Sequence, residues 1–205
     1  MHILGYKALG ITILVLLGLL VLVKRLATGS FVEYPSTGNF WVRLTNHFNL
    51  FFLLILIPGV AIWLIAGFSE TIDPTHLPID GSQLMIGLEI TGLALYVAGC
   101  LLMAWALLRL RGNYQLGGSA PRNVDEMVIV GPYRFVRHPM YTAVLCISLG
   151  LAYLIQSLAI FSVFCIYLAL ILVLIPIEEA GLQQAYHDRY LTYQKKVKKL
   201  VPYLY

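Results

Sequence analysis

At the end of the longest polar stretch of a mostly apolar chain, the run Gly131-Pro132-Tyr133-Arg134-Phe135-Val136-Arg137-His138-Pro139-Met140-Tyr141 gathers guanidinium, imidazole and phenol groups. Two apolar segments later comes the acidic pair Glu178-Glu179. An arginine grips a carboxylate through two parallel hydrogen bonds, and paired carboxylates balance a cation. The two clusters therefore read as halves of one site, provided the fold brings them together.

The intervening chain does so. Residues 140–177 are almost wholly apolar, and at roughly 20 residues per crossing they suffice for two membrane helices. Gln156-Ser157 is the polar dipeptide of that span, which suits a tight turn at the far surface because unpaired backbone groups are not tolerated in lipid. Two crossings return the chain to its starting face, so Arg137, His138, Glu178 and Glu179 are expected at the same membrane surface.

Composition agrees. A chain of 205 residues that is 60% hydrophobic and 12% charged, with mean hydropathy +0.82, is an integral membrane protein and not a soluble domain. Further apolar runs at residues 8–23, 48–67 and 84–108 are each near a bilayer span. The expected fold is all-α: a polytopic bundle of five transmembrane helices, ending in a helical hairpin and an amphipathic tail helix. It forms a single membrane domain over residues 1–205, with three helices of generic character in 1–110 and the functional portion in 111–205.

Lys and Arg near helix ends stay predominantly cytoplasmic. Lys24, Arg25 and Arg43 flank the first connection, Arg109, Arg111, Arg122, Arg134 and Arg137 the third, and Arg189, Lys195, Lys196, Lys198 and Lys199 the tail. The second connection carries Glu70, Asp73 and Asp80 without Lys or Arg. This places the N-terminus outside, and the C-terminus and both clusters at the cytoplasmic face. The first run is followed directly by Lys24-Arg25, which fits a retained anchor better than a cleaved signal peptide. A prokaryotic inner membrane is the simplest setting. The net charge of +4 then reflects this bias and contact with anionic membrane lipids, not binding of nucleic acid.

Cys100, Cys146 and Cys165 lie in apolar segments without metal-ligand spacing and read as buried packing residues. His2, His47, His76 and His187 have no partner three or four positions on, so no metal site is expected. Gly117-Gly118 lacks the spacing of a dinucleotide loop and reads as a turn. Glu89 falls in an apolar segment, about a turn from the outer surface, where its carboxylate is expected to reach water. In the tail, Leu182, Tyr186, Tyr190, Tyr193 and Val197 recur at helical spacing opposite Gln183, Gln184, His187, Asp188, Gln194 and Lys198. Pro176 stands near the expected start of that helix, and Glu178 and Glu179 fall in its first turn, where the helix dipole favours carboxylates.

Gly131-Pro132-Tyr133, Arg137-His138-Pro139 with Tyr141, then Glu178-Glu179, Tyr190, Tyr193 and Pro202 resemble the C-terminal signature of membrane methyltransferases, the isoprenylcysteine carboxyl methyltransferase and phospholipid methyltransferase family. The resemblance covers roughly residues 112–202. It implies S-adenosylmethionine as cofactor, bound at the cytoplasmic face. Gly131, Tyr133, Arg137, His138, Pro139, Tyr141, Glu178 and Glu179 would form its site, with Arg137 and Glu178 the catalytic pair. It implies a lipophilic acceptor: a small molecule, a lipid or a lipid-modified thiol, amine or carboxylate, admitted from the bilayer.

Two positions depart from the carboxyl-methylating pattern. Asp125 stands where those relatives resemble one another in having histidine, and Leu174 where they often carry arginine, the natural partner of an acceptor carboxylate. The Arg-His-Pro-x-Tyr element also resembles one in sterol-reductase-like membrane enzymes that use NADPH, although these usually have asparagine at the position of Met140. A non-catalytic protein keeping the same fold is the third reading.

Overall fold

In lipid every backbone N–H and C=O must be satisfied within the protein, and a helix does this segment by segment. The computed structural model describes residues 5–31, 39–67, 73–77, 82–114 and 125–202. Gly117, Gly118, Pro121, Arg122, Glu70, Asp80 and His2 lie outside the described residues. The principal helices are α1 (Tyr6–Thr28), α2 (Phe40–Gly67), α3 (Ser82–Leu110), α4 (Pro139–Ile155) and α5 (Leu158–Lys196). There is no strand among the described residues.

Helices α1, α2, α3 and α5 are long and apolar enough to cross a membrane. With large hydrophobic residues such as Leu26, Leu54, Ile62 and Leu101 facing outward, the chain is an integral membrane protein. Helix α4 has 17 residues, a rise of about 25 Å against a hydrocarbon core of about 30 Å. It packs along α3 through small residues. A Cβ on Gly99 would lie 2.8 Å from the Ala143 carbonyl oxygen, and one on Gly150 would lie 2.7 Å from the Tyr96 nitrogen. Glycine lets these backbones approach where a side chain would hold them apart.

Helix α4 turns into α5 at Gln156, in the left-handed region, and Ser157. Residues 73–77 of the α2–α3 connection clasp this turn: Leu158 N–H donates to the Thr75 carbonyl at 3.0 Å and Leu77 N–H to the Gln156 carbonyl at 2.9 Å. At this end Asp73 accepts from the Thr75 hydroxyl at 2.7 Å. The start of α4, the tail, the C-terminal ends of α1 and α3 and the N-terminal half of α2 gather at the opposite end.

Helix α2 changes character midway. Residues Phe52–Leu56 form a π-helical turn, just ahead of Pro58, which has no N–H to return to the helix ladder. Beyond this turn the C-terminal half of α2 packs on α1, whereas its N-terminal half leans on α5.

Helix α5 is two helical stretches that meet at His187; the first, residues 158–186, rises about 43 Å, longer than the hydrocarbon core of about 30 Å. This corrects one expectation. No new helix starts at Pro176: the proline lies inside α5, and Glu178 and Glu179 occupy mid-helix positions instead of a first turn. Their side chains are thus held by tertiary partners and not by a helix terminus. At His187, where φ is 46° and ψ is −130°, the helix breaks and the tail folds back, so that the Gln194 amide lies 3.4 Å from Glu179 Oε2 although the two residues are 15 positions apart.

Two further expectations change. Glu89 is buried inside the bundle, 7% exposed, and does not reach water, because its face of α3 is covered by neighbouring helices. Of the three cysteines only Cys100 is buried, while Cys165 is exposed on the outer face of α5.

Candidate functional site

The backbone sets Arg137 and His138 before their side chains act. Gly131 has φ +66°, and a Cβ there would lie 2.8 Å from Cγ of Arg109. Glycine therefore admits both the left-handed conformation and the close approach of α3. Residues Gly131–Arg134 make one tight turn, and Pro139 opens α4, where its missing N–H costs nothing. Between turn and helix the chain is extended and pairs with the end of the tail: Arg137 N–H donates to the Lys198 carbonyl at 2.7 Å and His138 N–H to the Lys199 carbonyl at 3.0 Å. Thr142 adds a hydroxyl bond of 2.8 Å to the Leu200 carbonyl.

The Arg-His-Pro cluster and the glutamate pair meet here. Arg137 Nη2 lies 2.7 Å from Glu179 Oε1, and the two side chains are only 7% and 12% exposed. Its Nε donates to the same oxygen at 2.8 Å, and its Nη1 donates to the carbonyls of Gln194 and Val197. His138 Nε2 bonds Glu179 Oε1 at 3.1 Å, and the Gln194 amide donates to Glu179 Oε2 at 3.4 Å. Glu179 is thus the centre of a buried polar network. Gln194, expected on the wet face of the tail, is half-buried within it.

Glu178 takes the other direction. Tyr141 donates its hydroxyl to Glu178 Oε2, and the Tyr141 ring stacks on His138 with centroids 5.5 Å apart. Glu178 and Tyr141 both line a cavity of about 370 Å³, whereas Glu179 stands behind its wall. Tyr133, Tyr186, Tyr190, Tyr193 and Asp125 complete the polar end of this cavity. Tyr193 donates its hydroxyl to the Tyr133 carbonyl, and Tyr186 donates to the Asp125 carbonyl at 3.3 Å. Tyr190 is 2% exposed.

Towards the membrane the cavity becomes apolar, walled by Leu17, Leu20 and Val21 of α1, Leu50, Leu53 and Leu54 of α2, and Val144 and Ile147 of α4. Asn49, which accepts from the Tyr167 hydroxyl, marks the transition. These α1 and α2 residues were not singled out from the sequence. The signal available was Asn46 and Asn49, polar residues three apart leading into an apolar run, since polar groups in membrane helices turn to the protein interior. No group of His, Cys, Asp and Glu able to hold a metal occurs among the described residues.

Residues 88–189 match the family model of phospholipid methyltransferases. Over that stretch the chain belongs to the phospholipid methyltransferase family. The stretch holds the Arg-His-Pro cluster, both glutamates and the α4–α5 hairpin between them. For a phospholipid methyltransferase family member, this network and its cavity are the natural candidate active site. No curated protein matches the chain.

The chemistry of the cavity fits the cofactor of such an enzyme. Its size is that of a small-molecule site. Carboxylate and tyrosine groups at its polar end suit a sulfonium cation, an amine and a flat heteroaromatic ring. Arg137 differs from the sequence expectation in one respect: all three of its guanidinium nitrogens already have protein acceptors.

Proposed function

We propose that the protein is an S-adenosylmethionine-dependent methyltransferase acting on a lipophilic acceptor at the cytoplasmic membrane face. The observation that carries this reading is the cavity itself: tyrosines and the Glu178 carboxylate at one end, aliphatic side chains of α1, α2 and α4 at the other. A polar cofactor and an apolar acceptor would meet between them. S-adenosylmethionine, when bound, supplies an activated methyl group on a sulfonium centre.

The work left to the protein is alignment and exclusion of water. Tyr133, Tyr141, His138 and Glu178 would hold the cofactor, with Gly131 and Pro139 shaping the backbone near it. Glu178, oriented by the Tyr141 hydroxyl, is the cavity-lining carboxylate that would face the cation of the cofactor. Arg137 lines the cavity and Glu179 stands behind it; their pairing ties the tail to α4 and so sets Tyr190 and Tyr193 on the cavity. Arg137 is in this sense a positioning residue.

The acceptor side has its own features. Val21, Leu53 and Leu54 line the cavity and are also exposed on the outer surface, where the inner half of α2 stands away from α1. A lipid or lipid-modified acceptor would enter there from the bilayer. Leu174, at the position where carboxyl-methylating relatives often have arginine, is fully buried and does not line the cavity. Nothing at that position meets an acceptor carboxylate, which favours an amine, thiol or other lipid group.

We place the N-terminus outside, count α4 as a fifth crossing and set the polar network in the cytosol. The setting proposed is a prokaryotic inner membrane. An impermeant thiol reagent added to intact cells should label Thr75→Cys and leave Lys195→Cys unlabelled; the reverse pattern inverts the topology. For the function, membranes containing the protein are supplied with methyl-labelled S-adenosylmethionine. Label should pass into the organic-extractable fraction and not do so with Glu178→Ala. Equal transfer by both proteins contradicts the proposal.

A further inference from the structure

The cavity face of α1 ends in a cation. Leu17, Leu20, Val21 and Lys24 all line the cavity, and spacings of three, one and three put them on one face of the helix. Over two turns, about 10 Å, that face passes from aliphatic side chains to an ammonium. Helix α2 repeats the gradient without a charge, with Asn46 and Asn49 on the lining ahead of Leu50 and Leu53. Neither helix contains Asp or Glu. The carboxylates of the lining, Asp125, Glu126 and Glu178, come instead from the segment before Gly131 and from α5.

Lys24 is held in place by its surroundings. Gly29, in the left-handed region, turns the chain after α1, and the Lys24 ammonium donates to the Ser30 and Phe31 carbonyls at 3.3 and 3.2 Å. Its Nζ also stands 5.3 Å from the centroid of the Tyr114 ring, another wall residue. Carbonyls and an aromatic face orient an ammonium without neutralising it. The neighbouring Arg25, by contrast, is exposed and outside the lining, as a residue serving only the positive-inside bias would be. Arg137, the other Lys or Arg on the described lining, faces Glu179 at 2.7 Å among the tyrosines. The two cations thus stand at different walls, one with the tyrosines and one at the head of the aliphatic face.

A lysine meets a phosphate as a compact point charge. We propose that Lys24 is the specificity residue for the acceptor: its ammonium takes the headgroup phosphate of a lipid whose chain lies along Leu17, Leu20 and Val21. The phosphate is a handle for recognition and not the methyl-accepting atom. Val21, one turn from Lys24, is both exposed on the outer surface and part of the lining, so an entering lipid meets the cation as its chain meets the wall. The assignment rests on the methyltransferase reading above. It adds a residue outside the stretch matched by the family, 88–189.

The test uses full-length wild type and Lys24→Gln, purified in a non-ionic detergent, with two photoactivatable probes. One is a diazirine-bearing monoacylglycerol phosphate, the other the same monoacylglycerol without phosphate. Cross-linked peptides are read by mass spectrometry, and S-adenosylhomocysteine binding by both proteins is measured calorimetrically. In the wild type the phosphate probe should label residues 17–24 and 46–54. Lys24→Gln should need roughly 10- to 100-fold more of it for equal labelling. The neutral probe should label both proteins alike, and both should bind S-adenosylhomocysteine equally, which also reports that the variant is folded. Equal labelling of the two proteins by the phosphate probe, equal losses for both probes, or no labelling of these stretches overturns the assignment. So does displacement of the phosphate probe by equimolar inorganic phosphate, which would mark a free-anion site, or loss of S-adenosylhomocysteine binding in Lys24→Gln, which would give the ammonium to the cofactor. Failure of the wild type to bind S-adenosylhomocysteine removes instead the functional reading on which it rests.

Discussion

Arg137 and Glu179 stand 42 positions apart in the chain, and their side chains meet at 2.7 Å. The contact joins the start of α4 to the middle of α5, and through Gln194 and Val197 it fixes the tail as well. Removing one member of a buried pair strands the other charge, at a cost of about 3–5 kcal/mol. Glu179→Ala should therefore lower the thermal midpoint of the purified protein markedly and abolish S-adenosylhomocysteine binding. Arg137→Lys should behave similarly, because an ammonium cannot reach Glu179 and two carbonyls with a planar fork. Midpoints equal to wild type in both variants contradict this role.

Tyr141→Phe isolates a single hydroxyl. The ring, its stacking on His138 and the helix remain, while Glu178 loses the donor that orients it. A hydrogen bond to a charged group contributes about 1.5–3 kcal/mol, so turnover should fall roughly 10- to 100-fold. The check is the initial rate of methyl transfer under saturating cofactor; an unchanged rate means that Glu178 needs no such orientation.

The fold was legible where lipid imposes it. Apolar length announces helices because no other open structure satisfies the backbone in hydrocarbon, and the polar pair Gln156-Ser157 marks the hairpin turn for the same reason. The pairing of the Arg-His-Pro cluster with Glu178 and Glu179 followed from counting crossings. What periodicity did not reveal was that α5 runs through Pro176: neighbouring helices and local adjustments tolerate a proline within a membrane helix, so it is no reliable stop. Nor did spacing show which glutamate faces the cavity. Adjacent residues on a helix point about 100° apart, and only packing decides which one is covered. The contribution of α1 and α2 was hidden because aliphatic residues lining a cavity look the same in sequence as those facing lipid.

The α3–α4 contact predicts asymmetric tolerance among glycines. Gly99 and Gly150 abut backbone atoms of the facing helix, whereas a Cβ on Gly18 or Gly87 meets nothing within 4 Å. Gly99→Val and Gly150→Val should each destabilise the bundle by about 1–3 kcal/mol or more, and Gly18→Ala should leave the melting curve unchanged. Equal melting curves for all three variants would mean that the helices do not pack this closely.

The clasp at the α4–α5 turn predicts a small pH effect. Burial alone would raise the Asp73 carboxyl, but hydrogen bonds from Ser157 and Thr75 outweigh it and hold the group below its ordinary value. Because the folded-state value is depressed, the stabilisation is present above about pH 4, the ordinary aspartate range, and is lost as the pH falls through the lowered value. Asp73→Asn should thus melt slightly below wild type at pH 6, with the gap closing in acid. A gap that persists unchanged at pH 3 rules out the ionised carboxylate as its source.

The most direct test of the account is binding of S-adenosylhomocysteine by the purified protein, followed calorimetrically, beside NADPH and the Glu178→Ala variant. Saturable binding of S-adenosylhomocysteine by the wild type, none of NADPH, and loss of the former in Glu178→Ala are the predicted results. Binding of NADPH alone, or S-adenosylhomocysteine binding untouched by Glu178→Ala, would contradict the central claim that the cavity beside Glu178 is a methyltransferase cofactor site.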